Sequence, residues 1–116
     1  MIVNFEFQDG VCILRMQGRF ATGQDAEYLR EKTEELKKQG CHRIIADFGG
    51  VSYIDSTGIG FLIAIYTSIL RDGNGRFVLA AANHRVREVL SLTRLDTILP
   101  TYDDVPKAVI ALGDPK

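Results

Sequence analysis

The start of the chain alternates twice between apolar and polar positions. Val3, Phe5 and Phe7 fall on one side of an extended chain and Asn4, Glu6 and Gln8 on the other, the pattern of a half-buried strand over residues 2–8. Asp9-Gly10 is a strong hairpin-turn pair. Over residues 11–17, Cys12, Leu14 and Met16 then alternate with Arg15 and Gln17, and Gly18 is expected to end the strand. The chain is therefore expected to open with a β-hairpin.

The period then changes to that of a helix. Ala26, Leu29, Thr33 and Leu36 recur at helical spacing within residues 24–39, with Thr22 as a plausible N-cap and Gly40 as the C-terminal glycine. The Glu31, Glu34, Glu35, Lys37 and Lys38 cluster reads as a solvated face. Arg43-Ile44-Ile45-Ala46-Asp47-Phe48 is short and apolar, as a buried central strand is, and Gly49-Gly50 is expected to break it. A second helix is expected over residues 57–71, closed by Asp72-Gly73-Asn74-Gly75, followed by a buried strand from Phe77 to Ala81. Asn83 is placed to cap a third helix with Val86, Val89 and Leu90 on its apolar face. Leu95 to Tyr102 reads as a short extended piece holding Pro100. Asp103-Asp104 opens a last helix with Pro106 in its first turn and Val105, Ala108, Val109 and Leu112 as its apolar residues.

Strands alternating with helices imply right-handed crossovers and parallel pairing, while the hairpin adds antiparallel pairing. The predicted class is α/β, a mixed, mainly parallel sheet of about four to five strands with about four helices and an opening β-hairpin. One domain is expected over residues 1–113, with 114–116 as a C-terminal tail. The functional loops of such a sheet are expected near Asp47 to Ile54 and Ala81 to Asn83, at the ends of the inner strands.

Composition narrows the function classes. The chain has 116 residues, 46% hydrophobic and 25% charged, with net charge -1 and no long run of one sign. That is no basic stripe for phosphate neutralisation, so direct nucleic-acid binding is not expected. Cys12 reads as a small buried hydrophobe and Cys41 as a turn residue; two isolated thiols without a CxxC or Cys/His spacing fit a reducing cytoplasm and no zinc site. Met1 to Glu6 lacks the basic and apolar regions of a secretory signal, and the longest apolar stretch, Ile59 to Tyr66, is too short to span a bilayer. The expected setting is cytoplasmic, without membrane insertion.

The chemistry concentrates in Val51-Ser52-Tyr53-Ile54-Asp55-Ser56-Thr57-Gly58-Ile59-Gly60. This places an acid, hydroxyls and glycines between a strand pattern and a helix pattern. Backbone N–H groups and the dipole at a helix N-terminus favour negative charge. Ser56 is thus a candidate phosphate acceptor, while Asp55, Ser56 or Thr57 could also serve only as an N-cap. Position 54 is Ile, so there is no G-x-S-x-G elbow, and His42 and His84 both fall in loop-like positions. Thr57-Gly58-Ile59-Gly60 has neither the Walker spacing with its Lys nor G-x-G-x-x-G. Asp47 and Asp55 lack the further oxygen ligands a hard cation needs, so capping or turn roles are expected for both. The expectation is a binding protein that is not an enzyme, with no cofactor and no metal.

Wound at about 100° per residue, Ile59, Leu62, Ile63, Tyr66, Ile69 and Leu70 gather on one face, expected to be core. Gly60, Ala64, Thr67 and Ser68 lie opposite, Ile65 lies at the border, and Phe61 points with the small residues. Phe61 can be covered by the chain's own fold or belong to a partner-binding patch. The small neighbours, which let a partner approach closely, favour the patch.

Ile45-Ala46-Asp47-Phe48 followed by Val51 to Gly60 closely resembles the signature of STAS domains, in particular of bacterial anti-sigma factor antagonists. The resemblance extends to the hairpin ending in Gly18, the Gly73–Gly75 turn before Phe77-Val78-Leu79, and Leu92-Thr93-Arg94-Leu95-Asp96 before Tyr102-Asp103. It implies partner switching. The unphosphorylated antagonist would bind an anti-sigma factor that is itself a serine-protein kinase and release the sigma factor. Phosphorylation on Ser56 would block binding, and a PP2C-type phosphatase would restore it. It implies no cofactor in the antagonist, ATP belonging to the kinase. Partner contacts would come from Asp55, Thr57, Gly58, Ile59, Gly60, Phe61 and Ala64. Gly18-Arg19-Phe20-Ala21-Thr22 departs from the family, which often has an acidic residue just after this glycine; an arginine there could pair with a phosphoserine. The alternative is a STAS scaffold or regulatory subunit of a transporter or sensory complex, working without phosphorylation.

Overall fold

The computed structural model describes residues 2–8, 10–20, 24–71, 73 and 75–113. The elements run β1 (Ile2–Gln8), β2 (Val11–Phe20), α1 (Gln24–Lys38), β3 (Arg43–Ile54), α2 (Ser56–Leu70), β4 (Arg76–Ala80), α3 (His84–Leu92), a 3-10 turn (Leu95–Thr97), β5 (Thr101–Tyr102) and α4 (Val105–Leu112). The strands form one five-stranded sheet in the order β1-β2-β3-β4-β5. β1 and β2 pair antiparallel as the hairpin requires, and every other neighbouring pair is parallel. The mixed, mainly parallel α/β architecture is the one expected from the pattern. Asp9, Ala21, Thr22, Asp72, Asn74 and the 114–116 tail lie outside the described residues, as do the side chains of Val3, Ala26 and Leu29.

Alternation sorts the apolar runs onto two faces. Leu14, Met16, Ile44, Ala46, Phe48, Phe77 and Leu79 point into a layer built from Leu36 of α1, Leu62, Ile65 and Ile69 of α2, and Val86 and Leu90 of α3. Ile13, Ile45, Val78 and Ala80 point the other way, against Val105, Ala108, Val109 and Leu112 of α4. This is why the inner strands read as continuous apolar runs: both of their faces are covered. On the α4 side a charged ladder crosses the strands. Arg15 Nη1 donates to Asp47 Oδ2 at 2.7 Å and Arg15 Nε to Glu6 Oε1 at 2.6 Å. The Glu6 carboxylate, with Asp47 also contributing, raises the Arg15 guanidinium above its ordinary value.

Two strands are longer than expected. Gly18 does not end β2; at φ 113 it sits between register shifts, and the strand bends and continues to Phe20. Gly49-Gly50 does not break β3, which runs unbroken to Ile54. A Cβ on Gly50 would stand 2.7 Å from both the Met16 carbonyl oxygen and Gln17 Cγ, so the missing side chain is what lets bulged β2 lie against β3. The expected extended piece from Leu95 to Tyr102 is instead a 3-10 turn followed by a two-residue strand.

The cysteines also differ from expectation. They are not isolated thiols: Cys12 of β2 and Cys41, just beyond α1, are joined as a disulfide with Cα atoms 6.6 Å apart. Among the described residues no helix is long and apolar enough to cross a membrane.

Candidate functional site

The extra length of β2 and β3 carries both strands to the mouth of α2. Pairing of Gly18 with Val51, Arg19 with Tyr53 and Phe20 with Ile54 brings the departing segment after Gly18 beside the Asp55–Gly60 segment. The Arg19 guanidinium lies 4.9 Å from the centre of the Tyr53 ring, a cation–π distance. Ser52 Oγ donates to the Gly18 carbonyl at 3.4 Å, tying the same two strand ends.

Asp55 is the N-cap of α2. Its backbone is extended and its Oδ1 accepts the Gly58 N–H at 2.8 Å, satisfying a donor the first turn leaves open. This resolves the capping alternative: Asp55 takes the cap, and Ser56 is the first helical residue, with its side chain exposed. Among the described residues, no side chain or backbone group is hydrogen-bonded to the Ser56 hydroxyl. Gly58 and Ile59 are buried and Thr57 is half-buried, so these three build the turn rather than its outer surface. Asp47 also has a structural role, accepting the Gly49 N–H at 2.9 Å on Oδ1 and Arg15 on Oδ2. Among the described residues, no group of three His, Cys, Asp or Glu side chains is placed to hold a metal ion.

α2 is rotated from the expected orientation. Ile65 is buried, while Ile63 is 44% and Leu70 40% exposed, so the face that includes these two is not wholly core. Phe61 is half-buried and packed on the main core, so its own fold covers part of the ring. Ser68 faces α1: Lys37 Nζ donates to its carbonyl at 3.0 Å and to its Oγ at 2.9 Å, and Ser68 Oγ donates to Glu34. What remains exposed along the helix is Ser56, Gly60, Ile63, Ala64, Thr67 and Leu70, a stripe at steps of three and four that starts at Ser56. Beside it, Leu62, Ile63 and Tyr66 of α2 and Leu95, Ile98 and Leu99 of the segment after α3 line an apolar cavity of ≈ 210 Å³. Of these lining residues Ile98 is 56% exposed, so the apolar surface opens to solvent there.

Asn83 is expected to cap α3 and to close one of the functional loops, without a named partner at the site. It does cap α3, accepting the Val86 N–H at 2.8 Å, and its Nδ2 also donates to the Val51 carbonyl at 3.1 Å. It thereby locks the start of α3 to the site end of β3. Arg87 reinforces that corner through the Ala82 carbonyl at 3.0 Å and Asp103 at 3.2 Å. A polar side chain in the loop after an inner strand was the available signal. His84 is turned toward Glu88 on its own helix, 3.8 Å away, which gives it no part in activating Ser56.

This geometry has counterparts. The family model of the STAS domain matches residues 3–108. A candidate anti-sigma factor antagonist of Thermotoga maritima is 37% identical over 76 residues, and the aligned part spans 66% of this chain and 66% of that relative's own length. The crystal structure of a candidate anti-sigma factor antagonist from Thermotoga maritima superposes with a TM-score of 0.86 at 30% identity, covering 95% of this chain and 93% of that one. The Bacillus cell fate determinant SpoIIAA, solved in its phosphorylated form, shares the fold with a TM-score of 0.70 at 21% identity, over 95% of this chain and 98% of that one. The chain belongs to the STAS domain family, on its anti-sigma factor antagonist branch.

Proposed function

We propose that this chain, as one STAS domain over residues 1–113, is a cytoplasmic anti-sigma factor antagonist that works by partner switching on Ser56. Unphosphorylated, it binds an anti-sigma factor with serine-protein kinase activity through the outer stripe of α2, and the sigma factor is freed. The kinase transfers the γ-phosphoryl group of ATP: an oxygen–phosphorus bond forms at Ser56 Oγ, the bond to ADP breaks, and the hydroxyl proton leaves. A PP2C-type phosphatase hydrolyses the ester and resets the protein. The chain supplies the substrate hydroxyl and the docking surface and performs no catalysis, as its kinship with non-enzymatic antagonists supports.

The observation that carries this reading is the exposed Ser56 at the first position of α2, heading the exposed Gly60–Ile63–Thr67 stripe. A phosphate there adds about -1.5 to -2 charges at neutral pH. The helix N-terminus favours that charge, so the fold tolerates it. A partner seated on the stripe would have to desolvate it, and mispaired charge at an interface costs several kcal/mol. Arg19, which pairs with Tyr53 on the neighbouring strand end, is the basic residue that would accompany a phosphoserine.

The test is phosphotransfer from ATP by the kinase that co-purifies with the wild-type chain. Incorporation at one site, mapped to Ser56 and absent in Ser56→Ala, is the expected result. Stable binding of that kinase with no phosphate on Ser56 would leave only the scaffold reading.

A further inference from the structure

We propose that Cys12 and Cys41 form a reversible redox site that closes and opens by exchange with a low-molecular-weight disulfide. The site lies at the opposite end of the sheet from Ser56: Cys12 pairs with Ile44 near the start of β3, whereas Phe20 pairs with Ile54 at its end. The inference therefore stands apart from the Ser56 reading.

The geometry permits the bond. The two residues are 29 positions apart in sequence, yet their Cα atoms are 6.6 Å apart, inside the span a disulfide bridges, and their sulfurs are joined. The partners differ in access. Cys12 is 1% exposed in the core, beneath α1, while Cys41 is half-buried in the turn that follows α1. The turn is held in place, with the Cys41 N–H bonded to the Leu36 carbonyl at 3.0 Å. An external disulfide can reach Cys41 but not Cys12, which sets the order of the chemistry.

The Cys41 thiolate attacks the small disulfide, whose S–S bond breaks. A mixed disulfide forms on Cys41 and one small thiolate leaves. Cys12 then gives up its proton and attacks the Cys41 sulfur, forming the internal bond and releasing the second small thiolate. The protein loses two electrons and two protons, and the small disulfide takes them up as two thiols. Reduction runs the same steps backwards and also starts at Cys41. Closure joins the end of α1 to β2, across a stretch of chain long enough for the crosslink to restrict the unfolded state appreciably.

The test uses the full chain, reduced and then equilibrated with reduced and oxidised glutathione in varied ratio, trapped with iodoacetamide and weighed by mass spectrometry. The wild-type chain should lose both free thiols together and end without attached glutathione. Its thermal midpoint should rise by about 10 °C on oxidation. Cys12→Ala should stop at one glutathione on Cys41. Cys41→Ser should remain unmodified while folded and react only in urea. Independent modification of both cysteines in the folded wild-type chain would overturn the proposal, as would glutathione on Cys12 in folded Cys41→Ser, or two free thiols at every ratio.

Discussion

Asp55 and Gly58 close the mouth of α2 on each other, with Oδ1 of the aspartate accepting the glycine N–H at 2.8 Å. The cap leaves the intervening Ser56 side chain facing solvent at the first helical position. Asp55 therefore acts on the serine through the backbone, by fixing the turn on which it stands.

Asp55→Ala should cost about 1 kcal/mol of stability, the ordinary worth of an N-cap, and lower the thermal midpoint by a few degrees. Phosphotransfer to Ser56 should fall further than stability alone explains, because the first turn frays and the hydroxyl is no longer presented in one place. Thermal denaturation and a kinase assay on the same preparation check this; unchanged phosphotransfer in a destabilised protein would remove Asp55 from the site.

Gly50 and Gly60 should respond oppositely to alanine. At Gly50 the new Cβ meets the Met16 carbonyl oxygen and Gln17 Cγ at 2.7 Å, and forcing β2 and β3 apart should cost about 2 kcal/mol. At Gly60, in the helix interior, nothing lies within 4 Å of the new Cβ. Gly60→Ala should then stabilise α2 by up to about 1 kcal/mol. It should also weaken kinase binding, since the added methyl stands on the proposed docking stripe. A more stable protein that binds about tenfold less well is the expected signature, worth roughly 1.4 kcal/mol at the interface.

Ile63 and Phe61 separate the proposed docking from packing. Ile63 is 44% exposed, so Ile63→Asn should change stability by no more than about 0.5 kcal/mol while lowering kinase affinity about tenfold or more. Phe61 leans on the core, so Phe61→Ala should cost about 2 kcal/mol of stability. Denaturant titration paired with a binding isotherm for each variant distinguishes the two roles.

Arg15 links Glu6 and Asp47 across three strands. The guanidinium is about half exposed, so solvent screens the ladder and Arg15→Ala should cost only about 1 kcal/mol. Its raised guanidinium stays charged at any pH the fold survives, and the sensitive variable is salt. The gap between wild type and Arg15→Ala should narrow as ionic strength rises.

Period and punctuation carried most of the fold. The change from alternation to helical spacing located β1, α1, α3 and α4, and the apolar runs Arg43–Phe48 and Phe77–Ala81 located the inner strands because burial on both faces removes alternation, although β4 ends at Ala80, before Ala81 turns at φ 61. Local rules fail where tertiary contact reverses them. Gly18 and Gly49-Gly50 look like strand breakers, yet the former turns within a bulge and Gly50 makes room for the neighbouring strand. The same gap left Arg19 away from Tyr53, since nothing local shows that β2 and β3 both run on to the site. On α2 the apolar residues are too numerous to define one face, so the choice between Ile63 and Ile65 depended on where α1 and the Leu95–Thr97 turn pack. Cys12 and Cys41 escape a local reading for the same reason: they come from distant segments and meet on one face of the sheet.

The most direct measurement is the affinity of the proposed anti-sigma kinase partner for one preparation of this chain before and after full phosphorylation on Ser56, by calorimetry at fixed salt, with circular dichroism on both forms. Unchanged structure with at least a hundredfold loss of affinity, about 2.7 kcal/mol, is the predicted result. Equal affinity of the two forms would contradict it.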